Sequence, residues 1–140
     1  MYLLDVNVLI ALGDRAHQFH RLVRGWFQTN LRDGWATCPI TENGFVRILG
    51  HTSYESFPGG VNDARAALAI LVAAPGHQFW PDDISLGDRN LIHSLGESKS
   101  ITDIYLLALA AHRQARFVTL DQRVDPQLVS DGTSAIMILQ

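Results

Sequence analysis

Residues 104 to 111 read Ile-Tyr-Leu-Leu-Ala-Leu-Ala-Ala, and this run is apolar on every side of the helix that it predicts. A surface helix keeps one polar face, so a helix without a polar face must be covered on both sides. We therefore expect this helix, from Asp103 to Gln114, to lie against a sheet and beneath another helix or a partner subunit. The run thus predicts a layered protein in which helices pack on a sheet.

Short β-like runs alternate with helical patterns along the rest of the chain, which is typical of an α/β protein. The predicted strands are Tyr2 to Leu4, Trp35 to Thr37, Gln78 to Trp80, Arg116 to Leu120 and Ser134 to Leu139. The predicted helices are Val6 to Leu12, His17 to Asn30, Ile40 to Leu49, Val61 to Ala73, Arg89 to Leu95 and Asp103 to Gln114. This order predicts a three-layer α/β/α fold with a mostly parallel sheet.

The chain has 140 residues, of which 47% are apolar, so we expect one folded domain that spans residues 1–140. A single cysteine, Cys38, cannot form an internal disulfide, which favours a reducing compartment such as the cytoplasm. The apolar residues 1–12 are interrupted by Asp5 and Asn7 and have no leading positive charge. We therefore expect neither a signal peptide nor a membrane anchor.

The net charge of −3 disfavours a generally basic coat for nucleic acid but allows a local basic face. The predicted helix from His17 to Asn30 is amphipathic, and Arg21 and Arg24 fall on its exposed side. These two arginines could contact phosphates or an acidic partner, or they could be ordinary solvated residues.

Four carboxylates, far apart in the chain, each fall just past a predicted strand or at the start of a predicted helix. They are Asp5, Glu42, Asp103 and Asp121. Because ligands bind beyond the carboxyl ends of parallel strands, these side chains could converge at one edge of the sheet. Each one alone is better explained as a residue that caps a helix. Together they would repel one another unless a divalent cation such as Mg²⁺ held them.

Two further groups of side chains have simpler explanations than a functional site. His17 and His20, three residues apart, lack the additional ligands that a zinc site needs, so we interpret them as exposed helix residues. The three tryptophans, Trp26, Trp35 and Trp80, could stack on RNA bases, but their large apolar area favours packing in the core.

Four short motifs follow one another along nearly the whole chain. They are Leu4-Asp5-Val6-Asn7, Pro39-Ile40-Thr41-Glu42 with Arg47 downstream, Thr102-Asp103 followed by the apolar run, and Thr119-Leu120-Asp121. In this order and spacing the chain resembles the PIN-domain family of metal-dependent ribonucleases, and most closely the VapC-type toxins of bacterial toxin–antitoxin modules. The fold of that family, a parallel sheet between helices, agrees with the α/β prediction.

The resemblance implies RNA cleavage by water activated on one or two Mg²⁺ or Mn²⁺ ions, without a protein nucleophile. It implies that the catalytic and metal-binding residues are Asp5, Glu42, Asp103 and Asp121, supported by Asn7 and Thr119. Arg47, together with Arg21 and Arg24, is a candidate contact for RNA or a partner protein. The family also implies a homodimer and an antitoxin that covers the site.

Two parts of the sequence are not explained by the resemblance. Asp125 follows Asp121 by four residues and could share or replace its role, although Asp121 directly follows the predicted strand. Residues 50–60, which contain the longest predicted loop, match no motif.

Two other functions are compatible with an aspartate after the first strand. An aspartyl-phosphate phosphotransferase or phosphatase would need a second acid near Asp5 and a lysine at the edge of the sheet. Here Asn7 stands two residues after Asp5, and the one lysine, Lys99, precedes a helix. A catalytically silent RNA- or protein-binding module on the same fold would not need the four acids, which are all present.

Overall fold

Five parallel strands form one sheet in the computed structural model of the chain, which describes residues 1–140. The strands are β1 (Tyr2–Leu4), β2 (Trp35–Thr37), β3 (His77–Phe79), β4 (Arg116–Thr119) and β5 (Ile136–Ile138). Their order across the sheet is β3-β2-β1-β4-β5, and every neighbouring pair is parallel. The first strand of the chain is therefore the central strand of the sheet.

Helices cover both faces of this sheet, so the predicted three-layer α/β/α fold is confirmed. One face carries α1 (Val6–Gly13), α2 (His20–Asn30), α3 (Pro39–Leu49) and α4 (Val61–Val72). The other face carries α5 (Ile101–His112) and the short α6 (Gly132–Ala135). Single 3₁₀ turns lie at Leu31–Asp33, Ser98–Ser100 and Pro126–Leu128. No helix of the chain is both long enough and apolar enough to cross a bilayer.

Neighbouring residues of a strand point to opposite faces, so the protein has two hydrophobic cores. Leu4 of β1 belongs to the core under α1–α4, whereas Leu3 belongs to the core under α5. Every residue from Ile104 to Ala110 is buried, as the all-round apolar pattern predicts. The sequence predicts that another helix or a partner subunit covers the outer side of α5. In the structure this cover comes from the irregular segment between β3 and α5, because Trp80 and Ile92 share the core with α5.

Gly44 allows α3 to approach the start of α1 closely. A Cβ atom at this position would lie 2.6 Å from Cγ2 of Val6, which is too short for any side chain. α3 itself begins at Pro39. The first N–H groups of a helix have no intrahelical partner, so the absence of an N–H in proline costs no hydrogen bond here. The contact therefore fixes the first turns of α3 against the residue that follows Asp5.

The predicted helix from Arg89 to Leu95 is wrong. The Asp88 carboxylate accepts a hydrogen bond from the backbone N–H of Asn90 at 2.9 Å, and Ile92 forms an antiparallel bridge with Val129. An aspartate that bonds the local backbone favours a turn over a helix, and the bridge requires extended chain. The apolar spacing of this segment reflects burial of a turn and a bridge, and no helix forms.

Several element boundaries differ from the prediction by one to three residues. The second helix begins at His20 because Nδ1 of His17 accepts a hydrogen bond from the backbone N–H of Phe19, which closes a turn before the helix. The predicted strand from Ser134 to Leu139 is divided between the end of α6 and β5.

Candidate active site at the carboxyl edge of the sheet

Three of the four predicted acids meet at the carboxyl ends of β1 and β4. Asp5 follows β1, is 3% exposed, and caps α1 by accepting a hydrogen bond from the Val6 N–H at 2.7 Å. Asp121 follows the neighbouring β4 by two residues, and Asp103 lies in the first turn of α5. We call Asp5, Asp103 and Asp121 the acid edge.

The hydroxyl group of Thr119, the last residue of β4, connects the acid edge to its surroundings. It donates a hydrogen bond to Oδ2 of Asp5 at 2.6 Å, and it accepts one from Nδ2 of Asn7 at 3.2 Å and one from the Asp121 N–H at 3.0 Å. The Leu120 N–H in turn donates to Oδ1 of Asn7 at 3.2 Å. A hydroxyl has one proton and two lone pairs, so Thr119 uses its full capacity to position the two aspartates.

The carboxylates of the acid edge are close enough for their charges to affect the pKa values of Asp5 and Asp103. Burial is the largest cause that raises the pKa of Asp5, to about 6, and the charges of Asp103 and Asp121 add to it against the hydrogen bond from Thr119. Burial and the charge of Asp121 also raise the pKa of Asp103. Asp121 differs because hydrogen bonds from Arg123 lower its pKa. The edge therefore concentrates negative charge that is poorly solvated at Asp5 and Asp103.

A cavity of about 440 Å³ opens at this edge, and it contains an acid that the sequence analysis did not select. This first cavity is lined by Asp5 and Asp103, by Asp82 and by Arg47 of α3. Oδ1 of Asp82 is buried without a hydrogen-bond partner. Asp82 lies three residues after β3, whereas Asp5 directly follows β1, so its signal in the sequence, a place shortly after a strand, was weaker.

Glu42, the fourth predicted acid, has different neighbours. Its Oε1 accepts a hydrogen bond from Oγ1 of Thr37 at 2.6 Å, and Nε2 of His77 lies 2.8 Å from the same Oγ1. Since the single hydroxyl proton of Thr37 goes to the carboxylate, Nε2 of His77 is the donor of the second bond. Burial lowers the pKa of His77, although the charge of Glu42 opposes this. Glu42 does not line the first cavity with Asp5, Asp82 and Asp103.

The donor set of the first cavity fits a hard divalent cation. No three His, Cys, Asp or Glu side chains stand close enough together to enclose an ion. Asp82 nevertheless has a buried oxygen without a partner, and burial and the charge of Asp121 raise the pKa values of Asp5 and Asp103. Carboxylate oxygens with room for water are the coordination that Mg²⁺ takes in proteins.

The remaining candidate residues lie at the margins of this site or away from it. Oδ1 of Asp125 accepts a hydrogen bond from the Gln127 N–H at 3.0 Å and caps the 3₁₀ turn that follows. Arg21 and Arg24 are exposed on α2 and line neither the first cavity nor the cavity beside Asp121. Arg47 is therefore the one predicted arginine at the acid edge.

The groups interpreted as structural have structural partners. Trp35 and Trp80 are 1% and 5% exposed in the two cores, and Trp26 packs edge-on against Tyr2. The prediction that His17 and His20 are exposed helix residues is wrong in part: both are half-buried, and His17 precedes α2. Nδ1 of His20 lies 2.7 Å from the carbonyl oxygen of Ala11 in α1.

A five-stranded parallel sheet with acids at the carboxyl ends of β1 and β4 agrees with a match in sequence: a profile of the PIN domain matches residues 2–126. Two curated ribonucleases of Mycobacterium tuberculosis are also similar. Ribonuclease VapC38 is 44% identical over 124 residues, which cover 89% of this chain and 87% of the relative. Ribonuclease VapC44 is 44% identical over 133 residues, which cover 94% and 93%. The chain therefore belongs to the PIN-domain family and, within it, to the VapC ribonucleases.

Two solved structures share the fold at low sequence identity. The sarcin-ricin loop cleaving toxin VapC20 of Mycobacterium tuberculosis has a TM-score of 0.61 and 13% identity, and the match covers 81% of this chain and 84% of that one. VapBC2 of Rickettsia felis, bound to a DNA fragment from its promoter, has a TM-score of 0.66 and 12% identity over 99% and 98%. The resemblance read from the four short motifs is confirmed, and the chain is a nuclease rather than a phosphotransferase.

Proposed function

We propose that this toxin-type ribonuclease is an endonuclease that depends on a divalent cation and cleaves RNA phosphodiester bonds with activated water. The observation that carries the proposal is the buried Asp5 carboxylate, whose pKa is raised to about 6 in a cavity that it shares with Asp103 and Asp82. A buried, charged carboxylate destabilises the folded chain by itself, and a bound cation removes this cost.

The chain's own residues would hold the cation and keep it in place. Asp5 and Asp103 would be the principal ligands, with Asp121 and Asp82 on either side of them. Thr119 and Asn7 fix the orientation of Asp5 and join β4 to α1, as outer partners of metal ligands do. Glu42, held by a hydrogen bond from Thr37, would be a further ligand, positioned by the neighbouring α3.

The chemistry that Mg²⁺ or Mn²⁺ supplies at such a site is polarisation of the phosphate oxygens and a lower pKa for water. Asp5 and Asp103 would determine where the scissile phosphate lies, because both face the first cavity. Arg47, at the same cavity, would bind a neighbouring phosphate of the RNA. Cys38 is a poor candidate nucleophile, since its side chain is fully buried and burial raises the pKa of its thiol to about 11.

The partners are proposed on the basis of the family. The Rickettsia felis structure is of a VapBC complex, which supports a cognate antitoxin that binds this chain and covers its site. We further propose that the chain is one domain, that it forms a homodimer and that it acts on RNA in the cytoplasm. Arg21 and Arg24, exposed on α2, remain proposed contacts for RNA or the antitoxin.

RNA cleavage by the purified protein tests the proposed function. We expect cleavage with Mg²⁺ or Mn²⁺, none with a chelator, and a loss of more than about 100-fold in Asp5→Asn and Asp103→Asn. Asp82→Asn should lose about 10- to 100-fold if Asp82 supports the ligands.

Asp33→Asn is the matched control, because Asp33 is exposed in the turn before β2, at the opposite end of the sheet. Cleavage that survives both the chelator and the substitutions at the acid edge would overturn the mechanism. Absence of any cleavage with intact metal binding would favour a silent binding module.

A further inference from the structure

Arg123 holds Asp121 by three hydrogen bonds that use most of its carboxylate. Nε of Arg123 donates to Oδ1 at 3.0 Å, Nη2 donates to Oδ2 at 2.9 Å, and the Arg123 backbone N–H donates to Oδ1 at 2.9 Å. A carboxylate oxygen has two lone pairs. Oδ1 of Asp121 is therefore fully occupied, and Oδ2 has one lone pair left for a cation.

The guanidinium of Arg123 is held by this ion pair and not by packing. Its side chain is 83% exposed, whereas the Asp121 side chain is 21% exposed. Burial and the charge of Asp121 raise the pKa of Asp103, and the positive charge of Arg123 opposes this rise. Arg123 thus acts as the counter-charge of the acid edge, and exposed ion pairs of this kind are easily exchanged.

A second cavity, of about 420 Å³, lies on the Arg123 side of the acid edge. It is lined by four acids, Glu97, Asp103, Asp121 and Asp125, and by two cationic side chains, of which Lys99 pairs with Glu97 at 3.2 Å and Arg123 pairs with Asp121. Asp103 also lines the first cavity, where the cationic side chain is Arg47. The two cavities therefore meet at Asp103, with an arginine on either side of it. A single strand of RNA that crosses Asp103 would bring one phosphate towards each arginine.

We propose that Arg123 exchanges partners during the reaction: it pairs with Asp121 while no divalent cation is bound, and it binds an RNA phosphate in the second cavity once a cation occupies Asp121. This inference rests on the proposed function and extends it to a residue outside the predicted site. It requires Arg123 to act on metal binding and on RNA binding in opposite directions. An ion pair that stayed closed throughout the reaction would weaken Mn²⁺ binding but would leave RNA binding unchanged.

The first experiment measures Mn²⁺ binding by calorimetry in the absence of RNA. Arg123→Gln should bind Mn²⁺ about 2- to 5-fold more tightly than the wild type, because a competing cation has been removed. Arg116→Gln is the control, since it removes the same charge from the exposed first residue of β4, at the other end of the strand. Equal or weaker Mn²⁺ binding in Arg123→Gln would overturn the exchange.

The second experiment measures steady-state cleavage of a labelled single-stranded RNA of mixed sequence that the wild-type protein cleaves, over a range of salt concentrations. Arg123→Gln should raise KM by about 5-fold or more. The slope of log KM against log salt concentration should decrease by about 0.7, because one phosphate contact is lost. Arg123→Lys keeps the charge but loses the bidentate geometry, so it should tighten Mn²⁺ binding and leave KM near the wild-type value.

These results separate failure of the inference from failure of the proposed function. A wild-type protein that binds no Mn²⁺ contradicts the cation-dependent mechanism itself. Tight Mn²⁺ binding with an unchanged KM in Arg123→Gln contradicts only the contact between Arg123 and RNA. A KM that rises equally in Arg116→Gln contradicts it as well, because the effect would then be one of general charge.

Discussion

Asp103 shows most directly what a residue of the acid edge does to the folded chain. It lies in the first turn of α5, but the N-cap position belongs to Ser100. Burial and the charge of Asp121 raise the pKa of Asp103, and no hydrogen bond counteracts them. The capping explanation, which applies to Asp5 because Asp5 bonds the Val6 N–H, therefore does not account for Asp103.

Replacement of Asp103 should stabilise the protein when metal is absent. In a chelating buffer, Asp103→Asn should raise Tm by about 2–4 °C, because repulsion by Asp121 and the desolvation of a charge are removed. Thermal unfolding followed by circular dichroism measures this, with Asp33→Asn as the control. A lower Tm would mean that Asp103 stabilises α5 through the helix dipole. With Mg²⁺, the wild type should gain stability and the variant should not.

At the scale of the element, the loop between α3 and α4 is the part that no sequence motif explained. Its Tyr54 and Ser56 donate hydrogen bonds to Oδ2 of Asp14 at 2.7 and 2.5 Å, and Asp14 is 3% exposed at the end of α1. Burial would raise the pKa of Asp14, but these bonds and that from the Ala16 N–H lower it. One buried carboxylate thus holds the loop against the turn between α1 and α2.

Removal of this carboxylate should loosen the loop. Asp14→Ala should reduce the free energy of unfolding by about 1–3 kcal/mol, since three hydrogen bonds to a charged group are lost. Urea unfolding near pH 7 measures it, with Asp33→Ala as the control. Because the folded pKa of Asp14 is lowered, its contribution is present above the unfolded pKa near 4 and disappears as the pH falls further. A difference that stays constant from pH 5 down to pH 2 would contradict this explanation.

The elements also show where reasoning from sequence succeeds. The apolar run of α5 predicted burial correctly because a fully apolar helix has no solvent face to expose. The segment from Arg89 to Leu95 carried a similar apolar spacing, but the Asp88 side chain and the bridge from Ile92 to Val129 compete with a helix. Such competition depends on a partner 37 positions away from Ile92, which no local pattern contains.

At the scale of the whole molecule, the sequence predicted the edge of the sheet at which the acids gather, but not the neighbours of each one. Position after a strand is a property of local sequence, and it placed Asp5 and Asp121 correctly at the carboxyl ends of β1 and β4. Which side chains share a cavity depends on the face of the sheet and on crossover geometry. For this reason the sequence analysis missed Asp82. It also did not predict that Glu42 lies beside Thr37 and His77.

The pH dependence of stability in the metal-free protein should report the acid edge as a whole. The pKa of Asp5 is about 6 in the folded chain and near 3.8 when unfolded, so the folded state binds more protons between these values. Stability should therefore fall as the pH rises from about 4 to 6, by about 3 kcal/mol from Asp5. Urea unfolding in a chelating buffer over this range measures the fall.

Asp5→Asn should flatten this profile, and saturating Mn²⁺ should offset the loss at neutral pH in the wild type but not in the variant. The lowered pKa of Asp14 acts only below about pH 4, whereas the lowered pKa of His77 opposes the fall towards pH 6, so the comparison with Asp5→Asn isolates the contribution of Asp5. A profile that Asp5→Asn leaves unchanged from pH 4 to 6 would show that Asp5 is not held as a poorly solvated acid.

The hydrogen bond between Thr119 and Asp5 joins residues that are 114 positions apart, and it has a consequence for the time at which the protein becomes active. Asp5 is among the first residues that a ribosome adds, whereas Thr119 and Asp121 are among the last. A growing chain has the central strand from the beginning but has neither β4 nor the hydroxyl that orients Asp5. We therefore expect a nascent chain that ends before Thr119 to leave RNA intact, including the messenger that encodes it.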